Sequence, residues 1–193
     1  MRKSFSVAGL VERLGHCTYR DGYRDGLKPA QWSALRYFFN ANRFSQTTSA
    51  FARYQGISLS AVSQTVAKLV DKRLLKRLTD KTDKRRHQLT LTAKGERLIR
   101  HDPIRSLAEA AFELGEVDKA ATAENLEKMF VTLMQRNGGV YFGCCEDCRF
   151  LQCTRQKGRA PRFIQCKKLD IRLSEGELTK ICVNFGPNDL QLS

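Results

Sequence analysis

Between Leu59 and Leu91 a helix-period run gives way, with no linker, to two segments of strand length, and that junction restricts the fold more than any other part of the chain. Leu59, Val62, Val66, Leu69 and Val70 recur at i, i+3, i+7, i+10 and i+11, which puts them on one inward face of a helix. The opposite face shows Ser60, Ser63, Gln64, Thr65 and Lys68. Leu74–Leu78 and His87–Leu91 can then form two short antiparallel strands joined by the charged tip Thr79–Arg86. Upstream, Thr47–Tyr54 reads as a short helix broken at Gln55-Gly56, and Ser58 or Ser60 can cap the next one.

A short helix pair followed by a hairpin predicts a winged helix-turn-helix. Around it, Phe5–Leu14 and its continuation give an amphipathic opening helix, and Pro29 fits the first turn of a helix carrying Trp32, Leu35, Phe38 and Phe39. Trp32, Phe38, Phe39 and Phe44 read as core and interface. Thr92 caps a helix running past Gly95 and Leu98, Asp102-Pro103 kinks or restarts it, and a final helix spans about Val117–Arg136. Leu107, Phe112, Leu114, Leu126, Met129, Phe130 and Leu133 exceed the apolar needs of one small domain, so a dimer interface is expected there. The glycines of Asn137-Gly138-Gly139 end the helical pattern. They divide a winged helix-turn-helix and dimerisation domain, 1–137, from a cysteine-rich module, 138–193. The expected fold is mainly α with a small β-hairpin wing and long dimerisation helices, plus a small metal or cluster module.

Charge points to the partner. The 34 Lys and Arg against 20 Asp and Glu leave +14, a surface that seeks polyanions, nucleic acid before anionic membrane. From Ser60 to Arg105, 13 basic residues stand against 5 acidic ones. Lys81, Lys84, Arg85 and Arg86 concentrate at the hairpin tip, with Asp83 placed to orient an arginine; phosphate contacts belong there. Gln64 can offer a bidentate amide to an adenine edge, while Ser60, Ser63 and Thr65 are short donors for bases or phosphates. No apolar run approaches the roughly 18 to 20 residues of a membrane-spanning helix, and Met1–Leu10 lacks the features of a secretory signal. A cytoplasmic protein is expected, with double-stranded DNA as partner and no membrane role. There is no phosphate-binding glycine loop and no nucleophile constellation, so an enzyme is the least supported class.

The run Gly56-Ile57-Ser58-Leu59-Ser60-Ala61-Val62-Ser63-Gln64-Thr65-Val66 through Leu69, then Leu74-Leu75, then Asp83-Lys84-Arg85-Arg86 leading into Leu89-Thr90-Leu91-Thr92-Ala93-Lys94-Gly95, resembles the MarR family of winged-helix regulators. The resemblance covers about residues 5–136 and is tight over about 56–98. It implies a homodimer held by its terminal helices, a recognition helix in the major groove, a wing in the flanking minor groove and a pseudo-palindromic operator. Arg73 departs from it, since the family usually has Gly at that helix end.

Six of the seven cysteines fall between Cys144 and Cys182; Cys17, outside, reads as a buried small residue. Cys145 and Cys148 form a C-x2-C pair, Cys166 follows after 17 residues and Cys182 after another 15. Such a pair can grip one metal centre from a tight turn, its glycine-rich approach aiming amides at the sulfurs, while the two distant cysteines close the site. The spacing resembles high-potential iron-sulfur proteins and the small iron-sulfur subunits of certain glycyl-radical enzymes. That implies a [4Fe–4S] cluster on Cys145, Cys148, Cys166 and Cys182, with Cys144 and Cys153 as alternates and Phe142, Phe150, Phe163 and Phe185 as apolar shields. A [2Fe–2S] cluster, structural zinc and metal-free redox thiols are the alternatives; a zinc ribbon would want a second C-x2-C pair. Ser174 and Glu177 make a capping box for a short helix that delivers Cys182. The leading expectation is a transcription regulator whose operator binding responds to a cluster sensing redox state, oxygen or iron. Its rivals are a regulator with structural zinc answering to a small ligand, and an iron-sulfur electron-transfer or assembly protein.

Overall fold

The computed structural model of the chain describes residues 6–79, 87–138, 142–154 and 163–188. Helix α1 (Val7–Asp21) begins where the Ser6 hydroxyl accepts from Gly9 N–H, and α2 (Pro29–Asn40) has Pro29 in its first turn, where a missing N–H costs nothing. Thr47 caps α3 (Thr48–Gln55), which ends on Gly56 in the left-handed region at φ 66°. Ser58, rather than Ser60, caps α4 (Leu59–Asp71).

Strands β1 (Leu75–Thr79) and β2 (His87–Leu91) pair antiparallel from Leu75↔Leu91 to Thr79↔His87. The first strand starts one residue later than the sequence suggests. Leu74 is consumed in closing α4, its N–H bonding to Leu69 O. Thr92 then caps α5 (Ala93–Ile99), the chain turns at Asp102-Pro103, and α6 (Arg105–Phe112) and α7 (Glu116–Arg136) follow. The turn is held by the buried Asp102, which pairs with Arg36 of α2 at 2.9 Å and caps the Ile104 N–H at 3.0 Å.

Beyond α7 the secondary structure is short. β3 (Gly143–Cys144) pairs antiparallel with β7 (Ile181–Cys182), and a three-stranded antiparallel sheet runs β4 (Leu151–Thr154), β5 (Phe163–Cys166), β6 (Ile171–Arg172). Single 3-10 turns sit at Cys145–Asp147 and Glu175–Glu177, the second carrying the expected Ser174/Glu177 capping box.

Two apolar cores result. The first gathers Trp32, Leu35, Tyr37 and Phe38 of α2, Phe51 of α3, Val62, Val66 and Leu69 of α4, and Leu75, Leu89 and Leu91 of the hairpin. The second gathers Cys145, Ile164, Leu173, Leu178, Cys182 and Phe185. The cores share a seam: Ile181 and Val183 pack on the first, while Phe44, from the loop after α2, packs on the second. α1, α6 and α7 bury no residue at all. Consequently Cys17, expected to be buried, is exposed on α1.

Candidate nucleic-acid interface and cysteine centre

Helix α4 turns Val62, Val66 and Leu69 inward and leaves Ser60, Ser63, Gln64 and Lys68 exposed, with Thr65 half-buried. Its hydroxyls differ in what they can offer. Ser63 donates to Leu59 O at 2.7 Å and Thr65 to Ala61 O at 3.3 Å, so in this state both only accept from a partner, as base amino groups allow and phosphates do not. Ser60, Gln64 and Lys68 make no side-chain hydrogen bond to another described residue and project from the helix uncommitted. The hairpin strands that flank the tip are in register, but Lys81, Lys84, Arg85 and Arg86, with Asp83, lie outside the described residues.

Part of the basic excess is structural. Lys72 Nζ donates to Gly26 O at 3.3 Å, Lys94 Nζ to Lys72 O at 3.1 Å, and Arg105 Nη1 to Arg100 O at 2.9 Å. These three cations hold backbone carbonyls, whereas Lys76 and Arg77, exposed on β1, stand beside α4 and were not singled out by the sequence pattern. Their signal was available in the position of β1 directly after the helix.

In the second core Cys145 and Cys182 are buried, and Cys148, Cys153 and Cys166 are partly buried against them. Cys145 opens the turn in which Cys148 N–H bonds back to Cys145 O at 3.1 Å, and the β3–β7 pair brings Cys182 alongside. The Cys145 thiol donates to Cys182, which also receives the Asn42 amide and the Asn184 N–H. These donors hold the Cys182 thiol down to about 6 against burial, while the same contact and burial push Cys145 up. Gly186 N–H points at Cys148 Sγ at 3.4 Å. The amides aimed at sulfur therefore come from the segment after Cys182. Gly143 instead makes room for an aromatic ring, since a Cβ there would run into Phe185, which lies on it.

Phe185 alone of the four expected aromatic shields belongs to this core. Phe142 stacks edge-on against Tyr54, and Arg149 and Lys168 lie over Phe150 while Arg172 lies over Phe163. Ile164, Leu173 and Leu178 supply the apolar cover instead. Of the alternates, Cys144 donates to Thr179 O at 3.3 Å and is pushed up by burial and then by Glu146, which favours its neutral thiol. Cys153 lies opposite Ile164 and Cys166 opposite Leu151 on the paired strands. Thus the chain collects the four named cysteines around one apolar core. Among the described residues, no three His, Cys, Asp or Glu side chains stand at metal-ligating distances.

Comparison with known proteins places the first unit. Residues 25–86 match the model of the MarR family. Solved structures agree on the MarR fold. The DNA complex of MepR from S. aureus superposes with a TM-score of 0.55 at 23% identity, over 67% of this chain and 99% of that one. A MarR transcriptional regulator from Methanosarcina mazei Go1 gives 0.54 at 20%, over 65% and 92%. CouR from Rhodococcus jostii RHA1, bound to p-coumaroyl-CoA, gives 0.53 at 18%, over 64% and 91%. No curated protein sequence matches the chain. About a third of the chain has no counterpart in the MarR structures. No described helix is long and apolar enough to cross a membrane.

Within the MarR unit, the residue that sequence reasoning missed is Asn42. It is 2% exposed, and its Nδ2 approaches Cys145 Sγ at 3.9 Å across 103 positions of sequence. The one local trace is its spacing to Ser45, an Asx turn in which Asn42 Oδ1 accepts from Ser45 N–H at 3.1 Å.

Proposed function

We propose that the chain is a MarR-type transcriptional regulator that binds double-stranded DNA as a homodimer, without catalytic activity, and that its cysteine module holds a soft metal centre that sets operator affinity. The observation that carries the DNA reading is the exposed polar face of α4, with Gln64 uncommitted, inside a unit that matches the MarR family. An exposed polar helix beside a basic hairpin suits a major-groove reader with a flanking wing, and the DNA-bound MepR neighbour supports it.

For the centre, Cys145, Cys148, Cys166 and Cys182 are the ligands, with a [4Fe–4S] cluster as occupant. The donor set is all sulfur, N–H groups point at Cys148 and Cys182, and Ile164, Leu173, Leu178 and Phe185 exclude water. Such surroundings suit thiolates on a thiophilic metal and tune a cluster's potential. When bound, the cluster supplies one-electron redox sensitivity. Structural zinc is the second reading, favoured by the tight turn in which Asn184 N–H folds back on Cys182, a geometry zinc thiolates share.

Anaerobic purification with iron, sulfide and zinc analysis decides between the two. Cys145→Ser, Cys148→Ser, Cys166→Ser and Cys182→Ser are each expected to lose most of the metal while Cys17→Ser keeps it. One zinc per chain without sulfide would replace the cluster. Binding to selected duplexes at several salt concentrations tests the regulator itself, because affinity should fall linearly with log salt, by close to one unit of slope per phosphate contact. Equal affinity of the loaded and stripped protein for its selected duplex would reduce the metal to a structural part.

A further inference from the structure

The loop Ala41–Thr47 joins α2 to α3, and it is bonded to the cysteine centre at one end and to the DNA-reading elements at the other. At the front end, Asn42 N–H donates to Ile181 O at 3.0 Å and Asn42 Nδ2 to Cys145 Sγ at 3.9 Å. Its Oδ1 accepts from Phe44 N–H at 3.2 Å, Ser45 N–H at 3.1 Å and Ser45 Oγ at 2.7 Å. Ser45 Oγ accepts in turn from Val183 N–H at 2.7 Å, so the loop holds the chain on both sides of Cys182. At the back end, Ser45 O accepts from Tyr37 of α2 at 2.8 Å, Gln46 O accepts from Leu89 N–H of the wing at 2.7 Å, and Thr47 caps α3.

We propose that this loop, with Asn42 as its positioning residue, transmits the state of the Cys145 and Cys182 sulfurs to the wing and to α3–α4 within a single chain. The Asn42 amide is saturated: one carbonyl oxygen serves three donors, and one N–H serves a sulfur. Asn42 and Ser45 are both buried, so neither has water as a substitute partner. A thiolate or metal-bound sulfur is a better acceptor than a neutral thiol or a disulfide. A change at sulfur therefore alters the anchor of the Asn42 side chain, and four residues later the same loop carries the acceptor for Leu89. The two arrangements needed for coupling are the loop with the amide anchored on sulfur and the loop with that anchor released. The path avoids α7, the helix adjoining the module in sequence.

The inference rests on the DNA-binding reading of α4 and the wing, and is independent of which metal the sulfurs take. The test uses the full-length chain as wild type, Cys145→Ala, Asn42→Ala and the double variant, each assayed on a duplex selected in vitro by the wild type and by amide exchange at Leu89. Each single variant should shift affinity in the same direction by about fivefold or more, and Leu89 should exchange about tenfold faster in each. The double variant should stay within about twofold of the singles, because one path is cut only once. Asn42→Ala should also keep the metal content of the wild type, which a plain loss of the module would not. Should Asn42→Ala fail to fold, Ser45→Ala takes its place in the same cycle. Wild-type affinity and wild-type exchange in Cys145→Ala, or effects that multiply in the double variant, would overturn the coupling. A wild type without salt-dependent DNA binding overturns the regulator reading instead, and the Leu89 exchange still decides whether the sulfurs and the wing are linked.

Discussion

Arg73 sits in the left-handed region at φ 57°, between the C-cap Lys72 of α4 and the first strand. The MarR pattern has glycine there, and the structure shows why: the backbone reverses so that Leu74 N–H reaches Leu69 O and Thr92 Oγ1 reaches Arg73 O at 2.6 Å. A side chain in that conformation costs on the order of 1 kcal/mol. Arg73→Gly should therefore stabilise the folded chain by roughly 0.5 to 1 kcal/mol in urea titration, allowing for the extra freedom of the unfolded glycine. Gln64 belongs to the same scale. Since its amide is uncommitted, Gln64→Ala should cost about 1 to 3 kcal/mol on the selected duplex and little on random DNA. Equal losses on both would make it a backbone contact. Arg73 and Gln64 were both legible in sequence, because helix-end chemistry and helix-face position are local properties. Asn42 was not, since its partners Cys145, Ile181 and Val183 are brought to it only by tertiary docking.

At the scale of elements, α5 meets the start of the wing through Gly95, where an added Cβ would collide with the Leu74 carbonyl oxygen. Gly95→Ala should destabilise the chain by about 1 to 3 kcal/mol, as overpacking does, and loosen the β1–β2 hairpin; a thermal melt reads the first and DNA binding the second. An unchanged melt would mean that α5 slides to make room. The helices were readable because each carries its own period and cap: Ser58, Thr47 and Thr92 mark three starts. The cysteine module was less readable. Its strands are two to four residues long, too short for a period, and their pairing follows from non-local contacts. Spacing alone selected four cysteines that do meet around one core. It could not show that cations, rather than sulfurs, cover Phe150 and Phe163.

Across the whole molecule, α1 and α7 leave Val11, Leu126, Met129, Phe130 and Leu133 along one groove with Arg136 at its edge. Exposed apolar faces of this kind mark an association surface, and a second copy fits the homodimer proposed for a MarR-type chain. Leu133→Glu should shift sedimentation from dimer to monomer and weaken binding to a two-half-site duplex by about a hundredfold or more, as lost avidity predicts. A fragment of residues 28–100 should likewise be monomeric; a dimer from it would move the interface elsewhere.

The docking of Ile181 and Val183 onto the loop after α2 also imposes an order on assembly. Synthesis delivers the N-terminal part first, and the core from Trp32 to Ile99 is complete in sequence about eighty residues before Ile181 leaves the ribosome. Until then Asn42, Ser45 and Phe44 face water with their partners still unmade. The nascent winged helix thus passes through a stage in which it has its DNA-reading face and lacks its governor, and the closing of that long chain loop, rather than the folding of the helices, sets when the molecule becomes regulable.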